Sequence, residues 1–312
     1  MEISSWTIQL AFVPVMSPLF IGVVRKIKAL MQNRQGAGIF QPYRDLRKLF
    51  RKDEVISKDA SWIFLFAPYL IFSITLIIGA IIPIFTLFFG SIIPSDFLAL
   101  IYLLALSTFW LALSGIDVGS AFGGFGSSRE MTLSAIAEGG LIFSILSLSI
   151  LSHTTNLFGI SSFILSLGLS NFAIVIGLAF FAFLIALLAE NSRFPFDNPA
   201  THLELTMVHE AMILEYSGKR LALMEWAAAN KFLIFVLLAA NLFFPLGIVS
   251  SLGIISILSA LGIIIAKILI LCAFVGILES TIAKYRFFRL PDLLFTSFVI
   301  SAIVIELIIQ IK

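Results

Sequence analysis

Glutamates at the edges of long apolar runs are the residues in this sequence best suited to chemistry. Glu130 and Glu138 open one such run, Glu190 closes another, Glu279 lies at the end of a third, and Lys267 stands in the middle of that third run. A carboxyl can bind and release a proton or hold a cation; an amine can neutralise it. Keeping either charged in hydrocarbon costs roughly 2.5–3.5 kcal/mol on insertion scales, so such groups face protein or water. Glu130 and Glu138 are about two turns apart and project within a quarter-turn of each other on a helix. Lys267 has no sequence neighbour to neutralise it and calls for a partner on another helix or a hydrated cavity. Two readings stay open: buried pairs that fix helix packing, or protonatable stations on an ion path. The depth of Glu138 and Lys267 favours the path. Glu190, Glu215 and Glu279 would form a cluster at one membrane surface.

The segment from Glu190 to Glu225 is the most polar part of the second half. It reads E-N-S-R-F-P-F-D-N-P, then a helix-like stretch from Thr201 to Tyr216, then Ser217-Gly218 as a stop, with Gly218 suited to a left-handed cap. On one helix Glu204 and Glu215 share a face, and His202 and His209 share another. No H-E-x-x-H frame surrounds the histidines, so no metal site is expected, and a loop packed against a partner explains them better. The single cysteine, Cys272, cannot make an internal disulfide or ligate a cluster. Any redox centre must therefore belong to another subunit.

What positions these groups is a membrane bundle. Of 312 residues, 60% are hydrophobic and 12% charged, and the mean hydropathy is +1.10. That leaves too little polar surface for a soluble domain. The residues before Trp6 include no base, and the first apolar run ends in a basic cluster, so a span and not a cleavable signal is expected there. A crossing helix needs about 20 apolar residues. Eight runs qualify: Trp6–Val24, Trp62–Phe89, Phe97–Leu113, Met131–Leu151, Ile160–Ala189, Trp226–Ser250, Leu252–Leu278 and Leu293–Ile311. The second and fifth are long enough to bend, with Pro83 and the Gly79/Gly90 pair, or Gly168 and Asn171, as the breaking points. The expectation is one all-α polytopic domain of about eight transmembrane helices.

Lysine and arginine set its orientation. They crowd the loop after the first span, from Arg25 to Lys58, and recur in every second loop at Arg129, at Arg193, Lys219 and Arg220, and at Lys284, Arg286 and Arg289. The intervening loops have none. Cytoplasmic loops are thus expected at about 25–61, 114–130, 190–225 and 279–292, with both termini outside and a long loop between spans five and six. In the first loop, Pro42 to Lys52 predicts a short amphipathic helix, with Tyr43, Leu46, Leu49 and Phe50 at helical spacing. It would lie at the headgroups, and it could also line a cavity mouth or dock a soluble partner. Asp53, Glu54 and Asp59 read as solvated loop charges.

Both polar loops resemble a known family. Asn33-Arg34-x-Gly36-Ala37, followed by Gln41-Pro42, is similar to the N-R-x-G-P-x-x-x-Q-P signature of the complex I membrane subunit at its quinone site (the NADH-quinone oxidoreductase subunit 1 family), with Ala37 in place of proline. Glu190 to Asp197 resembles that family's E-x-x-R-x-P-F-D loop, and Glu215-Tyr216-Ser217-Gly218 its E-Y-S-G. The stretch Asn198 to Glu210, together with Arg129-Glu130-Met131 and Ala137-Glu138, looks more like the anchor subunit of group 4 energy-converting [NiFe] hydrogenases and formate hydrogenlyases. Related sulfur-reducing complexes stand close behind.

The resemblance implies a subunit of a plasma-membrane oxidoreductase complex with no redox centre or catalytic residue of its own. Partner subunits would carry the [NiFe] centre and [4Fe-4S] clusters: a [NiFe]-type large subunit and an iron–sulfur small subunit on the cytoplasmic side. Antiporter-like membrane subunits would move protons or sodium, and no nucleic acid is involved. Arg34, Gln41, Arg44, Arg193, Asp197, His202, Glu204 and His209 would dock the peripheral arm. Glu130, Glu138, Glu190, Glu215 and Glu279 would lie on the coupling path, and Lys267 joins them on depth alone. The competing readings are a quinone-binding subunit of a complex I-type enzyme and a stand-alone transporter; the latter is disfavoured because no internal repeat is visible.

Overall fold

Hydrocarbon offers the backbone no hydrogen-bond partners, so a chain this apolar satisfies its N–H and C=O groups inside helices. The computed structural model describes residues 2–91, 95–167, 172–197, 207–249 and 253–311. It contains α1 (Glu2–Met31), α2 (Gln41–Phe50), α3 (Trp62–Ile81), α4 (Phe97–Asp117), α5 (Ala121–Ser152), α6 (Leu157–Leu167), α7 (Ala173–Glu190), α8 (His209–Ile213), α9 (Gly218–Leu238), α10 (Ile254–Thr281) and α11 (Leu290–Ile311). Eight are long and apolar enough to cross a bilayer: α1, α3, α4, α5, α7, α9 with its π-helical extension to Phe243, α10, and α11 with the turn before it. Among the described residues there is no sheet, only two isolated bridges. The chain is an all-helical, multi-pass membrane protein.

Connections alternate between the two ends of the bundle. At one end, Val55 N–H donates to Ser217 Oγ at 2.8 Å, Ser61 N–H to Asp117 at 2.8 Å, and Tyr285 N–H to Pro195 O at 3.0 Å. Every lysine- and arginine-bearing connection gathers there. At the other end, Phe97 N–H donates to Thr155 O at 3.0 Å and Leu87 N–H to Val249 O at 2.9 Å. No Lys or Arg lies in these connections. Asp117 carries a specific job at the basic end. Its carboxylate also accepts from Ser61 Oγ at 2.6 Å and from Phe64 N–H at 3.3 Å, satisfying orphan donors at the start of α3.

Several boundaries differ from the sequence expectation, each for a local reason. The run Ile160–Ala189 is two helices: α6, about 17 Å long and too short to cross, and α7. Gly168 and Asn171, the expected breaking points, lie outside the described residues. The second run stops being helical at Ile82, which is extended as the residue before a proline tends to be. The expected loop 114–130 shrinks to three residues, because α4 runs on to Asp117 and α5 starts at Ala121; Glu130 is therefore helical. The loop 279–292 is shortened in the same way by α10 and α11. Of the helix expected from Thr201 to Tyr216 only α8 is seen, and His202 and Glu204 lie outside the described residues. Gly218 does have positive φ, +55°, but it starts α9 instead of ending a helix. The amphipathic helix forms as α2, with Pro42 and Leu46 buried and Arg47 and Lys48 in its last turn. Its Tyr43 hydroxyl donates to Val15 O on α1, and burial raises the phenol's pKa.

Candidate functional site

A cavity of about 740 Å³ opens at the basic end, between α1, α2, α8 and α9, and reaches inward to Thr75 on α3, Thr108 on α4 and Glu130 on α5. Close to it, Gly22 on α1 lets the loop before α2 pack tightly. A Cβ there would sit 1.9 Å from Ile39 O, so only glycine lets the 38–39 backbone fold against α1. Apolar walls come from Ile21, Val24, Leu111 and Phe232, while among the described residues seven carboxylates and five Lys or Arg side chains also line it.

The charged groups are ordered in depth. Innermost, Glu190 at the end of α7 is 6% exposed, and its Oε2 accepts from Lys231 Nζ on α9 at 2.9 Å. Lys231 also reaches Thr108 Oγ1 at 3.4 Å. Glu190 Oε1 and the neighbouring Asn191 Oδ1 are buried acceptors with no protein donor among the described residues. Glu130 is buried nearby in the same wall. Nearer the mouth, Glu279 on α10 accepts from Arg193 at 3.0 Å and from Lys28 on α1 at 3.2 Å. Both cations are fixed further by rings, Arg193 over Phe232 and Lys28 over Phe194. Asp197 is 3% exposed, pairs with Lys284 at 2.6 Å, and accepts from Val208 and His209 N–H at 3.2 and 3.4 Å, tying the E-N-S-R-F-P-F-D segment to α8. A buried carboxylate without a partner would be costly, which is why these acids come with cations from other elements.

At the rim, burial and the Lys231 charge lower the His209 pKa to about 4, so the imidazole is neutral at pH 7. Burial, then the like charges of Glu225 and Asp197, raise Glu210 to about 7. Both side chains line the cavity and are only partly exposed. Arg25 pairs loosely with Asp45 at 4.0 Å, and Gln41 donates to Asp45 at 2.8 Å.

The structure sorts the predicted residues. Glu130, Glu190 and Glu279 line the cavity, as do Arg34, Arg193, Asp197 and His209. Glu138 is half-buried further along α5 and accepts from Ser134 Oγ at 3.2 Å. Glu215 does not join Glu190 and Glu279: it is exposed, while its neighbours do the fixing. Tyr216 stacks on Phe64 at 3.9 Å and donates to Phe64 O, and Ser217 Oγ accepts from Val55 N–H and donates to Val55 O. Arg193 and Asp197 turn inward. Arg44 is exposed on α2, and Arg34, also exposed, is held by Gln32.

Among the described residues Lys267 meets no carboxylate, and it does not line the cavity. Its ammonium donates to Ala240 O (3.0 Å), Asn241 Oδ1 (2.7 Å), Phe244 O (2.8 Å) and Leu246 O (3.1 Å), where α9 unwinds through its π-turn. Asn241 Nδ2 in turn donates to Pro83 O and Ile84 O at 2.7 Å each. Lys267 therefore caps a broken helix. Glu54 is no solvated loop charge either, since it pairs with Arg220 and accepts from the Arg220 N–H at 3.2 Å. Sequence reasoning missed Lys231, Glu210, Glu225 and Lys28. The signal for Lys231 was present, a lone lysine inside the apolar run Trp226–Ser250.

Comparison with known proteins agrees with this architecture. Hydrogenase-4 component C of Escherichia coli (strain K12) is 35% identical over 289 residues, covering 93% of this chain and 90% of the relative. Formate hydrogenlyase subunit 4 of the same organism is 30% identical over 284 residues, covering 90% and 91%. NADH-quinone oxidoreductase subunit 8 of Rhodothermus marinus is 28% identical over 264 residues, covering 77% and 73%. A chain in the structure of the membrane-bound sulfane sulfur reductase, an archaeal respiratory membrane complex, shares the fold with a TM-score of 0.84 at 19% identity, over 97% of this chain and 98% of that one. Residues 4–310 match the NADH dehydrogenase family, to which the chain belongs.

Proposed function

We propose that this chain is the non-catalytic membrane anchor and coupling subunit of a hydrogenase-type respiratory complex. Its basic end would face the cytoplasm, with both termini outside, by the positive-inside rule. A [NiFe]-type large subunit and an iron–sulfur small subunit would dock there over α2, Arg34 and Arg44. Antiporter-like subunits would flank it in the bilayer. The relatives named above, components of hydrogenase-4 and formate hydrogenlyase, support the choice of partner.

One observation carries the coupling role. The cavity under that surface holds carboxylates in cation pairs drawn from different helices, Glu190 with Lys231 and Glu279 with Arg193 and Lys28. A charge change in a docked redox subunit alters the field at these pairs, and a shift of one or two pK units needs only a coupling of a few kcal/mol. Protons or cations would enter from the rim at Glu210 and His209, pass the Glu279 pair, reach Glu190 and Glu130, and continue toward Glu138.

The test uses the whole complex in liposomes. Glu190→Gln should retain electron turnover but lower the number of ions moved per turnover; an unchanged ratio would remove Glu190 from the path. Co-purification of a [NiFe] subunit supports the anchor role. A second reading, quinone binding, is favoured by the cavity's volume and apolar wall. Quinone-dependent activity of the purified complex would put that reading first.

A further inference from the structure

α9 carries the counter-charge of Glu190, yet polar side chains on another of its sides fix how the helix is turned. Asn230, next to Lys231 in sequence, is buried. Its Oδ1 accepts from Ser17 Oγ on α1 at 2.6 Å, and its Nδ2 donates to Thr75 Oγ1 on α3 at 3.0 Å. Ser17 and Thr75 are buried too, and the Thr75 hydroxyl donates in turn to Phe72 O at 2.7 Å. The amide thus has a partner on each of two neighbouring helices, in a setting where lipid cannot replace a lost one.

Four residues earlier on α9, Trp226 adds a third tie. Pro18 has no N–H, so the Pro14 carbonyl inside α1 lacks its usual intrahelical donor. Trp226 Nε1 supplies one at 2.8 Å. The same side chain packs against Phe72 on α3, with ring centroids 4.9 Å apart, and edge-on to Phe50 on α2 at 6.2 Å. A four-residue step keeps Trp226 and Asn230 within about 40° of each other around α9, while the step from Asn230 to Lys231 is about 100°. With Trp226 and Asn230 held by α1 and α3, Lys231 is turned toward α4 and α7, where its ammonium meets Thr108 and Glu190.

We propose that Asn230, backed by Trp226, is a positioning residue that locks the rotation of α9 against α1 and α3 so that Lys231 reaches Glu190. Asn230 does not line the cavity and acts through Lys231. Its effect on ion movement rests on the coupling role proposed above for the Glu190 pair.

The experiment reads two quantities on the intact complex: ions moved per electron turnover in liposomes, and the thermal midpoint in detergent. Asn230→Leu should lower the ion ratio. In its background the coupling between Glu190→Gln and Lys231→Met, taken from the midpoints of a double-mutant cycle, should shrink toward the additivity of independent sites. Trp226→Phe keeps an aromatic ring and removes the N–H, so it should act in the same direction and more weakly. Adding Ser17→Ala and Thr75→Val to Asn230→Leu leaves none of the three polar groups unmatched; this triple variant should regain the midpoint and still move fewer ions per turnover. Asn241 is an equally buried amide, bonded to Pro83 O and Ile84 O, and Asn241→Leu should lower the midpoint without changing the ratio.

An undiminished coupling in Asn230→Leu, a triple variant that regains the ratio along with the midpoint, or an equal loss of ratio in Asn241→Leu would each overturn the positioning role. Where Asn230→Leu does not assemble, the same cycle in Trp226→Phe decides. A ratio lowered by Glu190→Gln but not by Asn230→Leu overturns this inference alone. A ratio lowered by neither overturns the coupling role, and the cycle then still decides whether Asn230 positions Lys231.

Discussion

Lys231→Met removes the one cation that the structure pairs with Glu190. The carboxylate is 6% exposed and 2.9 Å from the ammonium. At an effective dielectric near 20, two charges at that distance attract by about 5–6 kcal/mol. Desolvation offsets much of this, and breaking one side of a buried pair typically costs 3–5 kcal/mol. The lower end, about 3 kcal/mol, fits here, because Thr108 Oγ1 at 3.4 Å is a weak second acceptor for the lysine and Glu190 Oε1 has no protein donor among the described residues. A loss of about 3 kcal/mol lowers the thermal midpoint of a domain of this size by roughly 6–12 °C.

The informative variant is the double one. Glu190→Gln combined with Lys231→Met leaves neither member of the pair charged and should recover stability to within about 1 kcal/mol of the parent. Thermal unfolding of the assembled complex in detergent, followed by intrinsic fluorescence, reads all four members of the cycle. A coupling above about 2 kcal/mol is expected; additivity within about 0.5 kcal/mol, the behaviour of independent sites, would refute the pairing. The same double variant should stay impaired in ion movement, so stability and transport separate in one protein.

Three further outcomes follow from the geometry. Glu210, with an ordinary value of 4.5 raised to about 7, stabilises the fold below pH 4.5 and loses that contribution as pH rises through 7; His209, lowered from 6.5 to about 4, does the reverse and loses its contribution as pH falls from 6.5 through 4. Between about pH 4.5 and 6.5 the two slopes cancel, so Glu210→Gln should make the complex lose stability on acidification, and His209→Asn should make it lose stability as pH rises toward 7; midpoints indifferent to pH in both variants would contradict the assignment. Lys267→Met removes four hydrogen bonds that close the broken end of α9, so it should lower the midpoint by several degrees while sparing ions moved per turnover. A fall in that ratio at an unchanged midpoint would return Lys267 to the ion path. Glu215→Ala, at an exposed position, should change stability by less than about 0.5 kcal/mol and leave the ion ratio intact; a lowered ratio would show that the path runs over the surface.

Composition and charge alternation carry most of the fold because lipid enforces them. Eight crossings follow from hydropathy, and the segregation of Lys and Arg to one end checks the count, since one span more or fewer would scatter the bases over both ends. Boundaries are less legible, because helices here do not stop where hydrophobicity stops. α5 continues ten residues beyond its apolar run, carrying Glu130 into a helix, while α3 halts inside its run at the residue before Pro83. Pairing is the least legible level. Nothing in sequence joins Lys231 to Glu190, 41 positions away, or Lys28 to Glu279, 251 away, because the partners meet only when α7 packs on α9 and α1 on α10.

Lys267 shows the same limit from the other side. Depth alone makes an intramembrane lysine look like a transport residue, and depth is the same whether the ammonium meets a carboxylate, water or an unwound helix end. The acceptors decide its role. Four oxygens, three of them backbone carbonyls on the segment 240–246, form a site that serves the backbone, whereas the Lys231 ammonium meets a titratable carboxylate in a cavity open to the surface. Two lysines in apolar runs thus part company by what they touch: one closes the break of a helix, the other pairs with a buried carboxylate in the cavity.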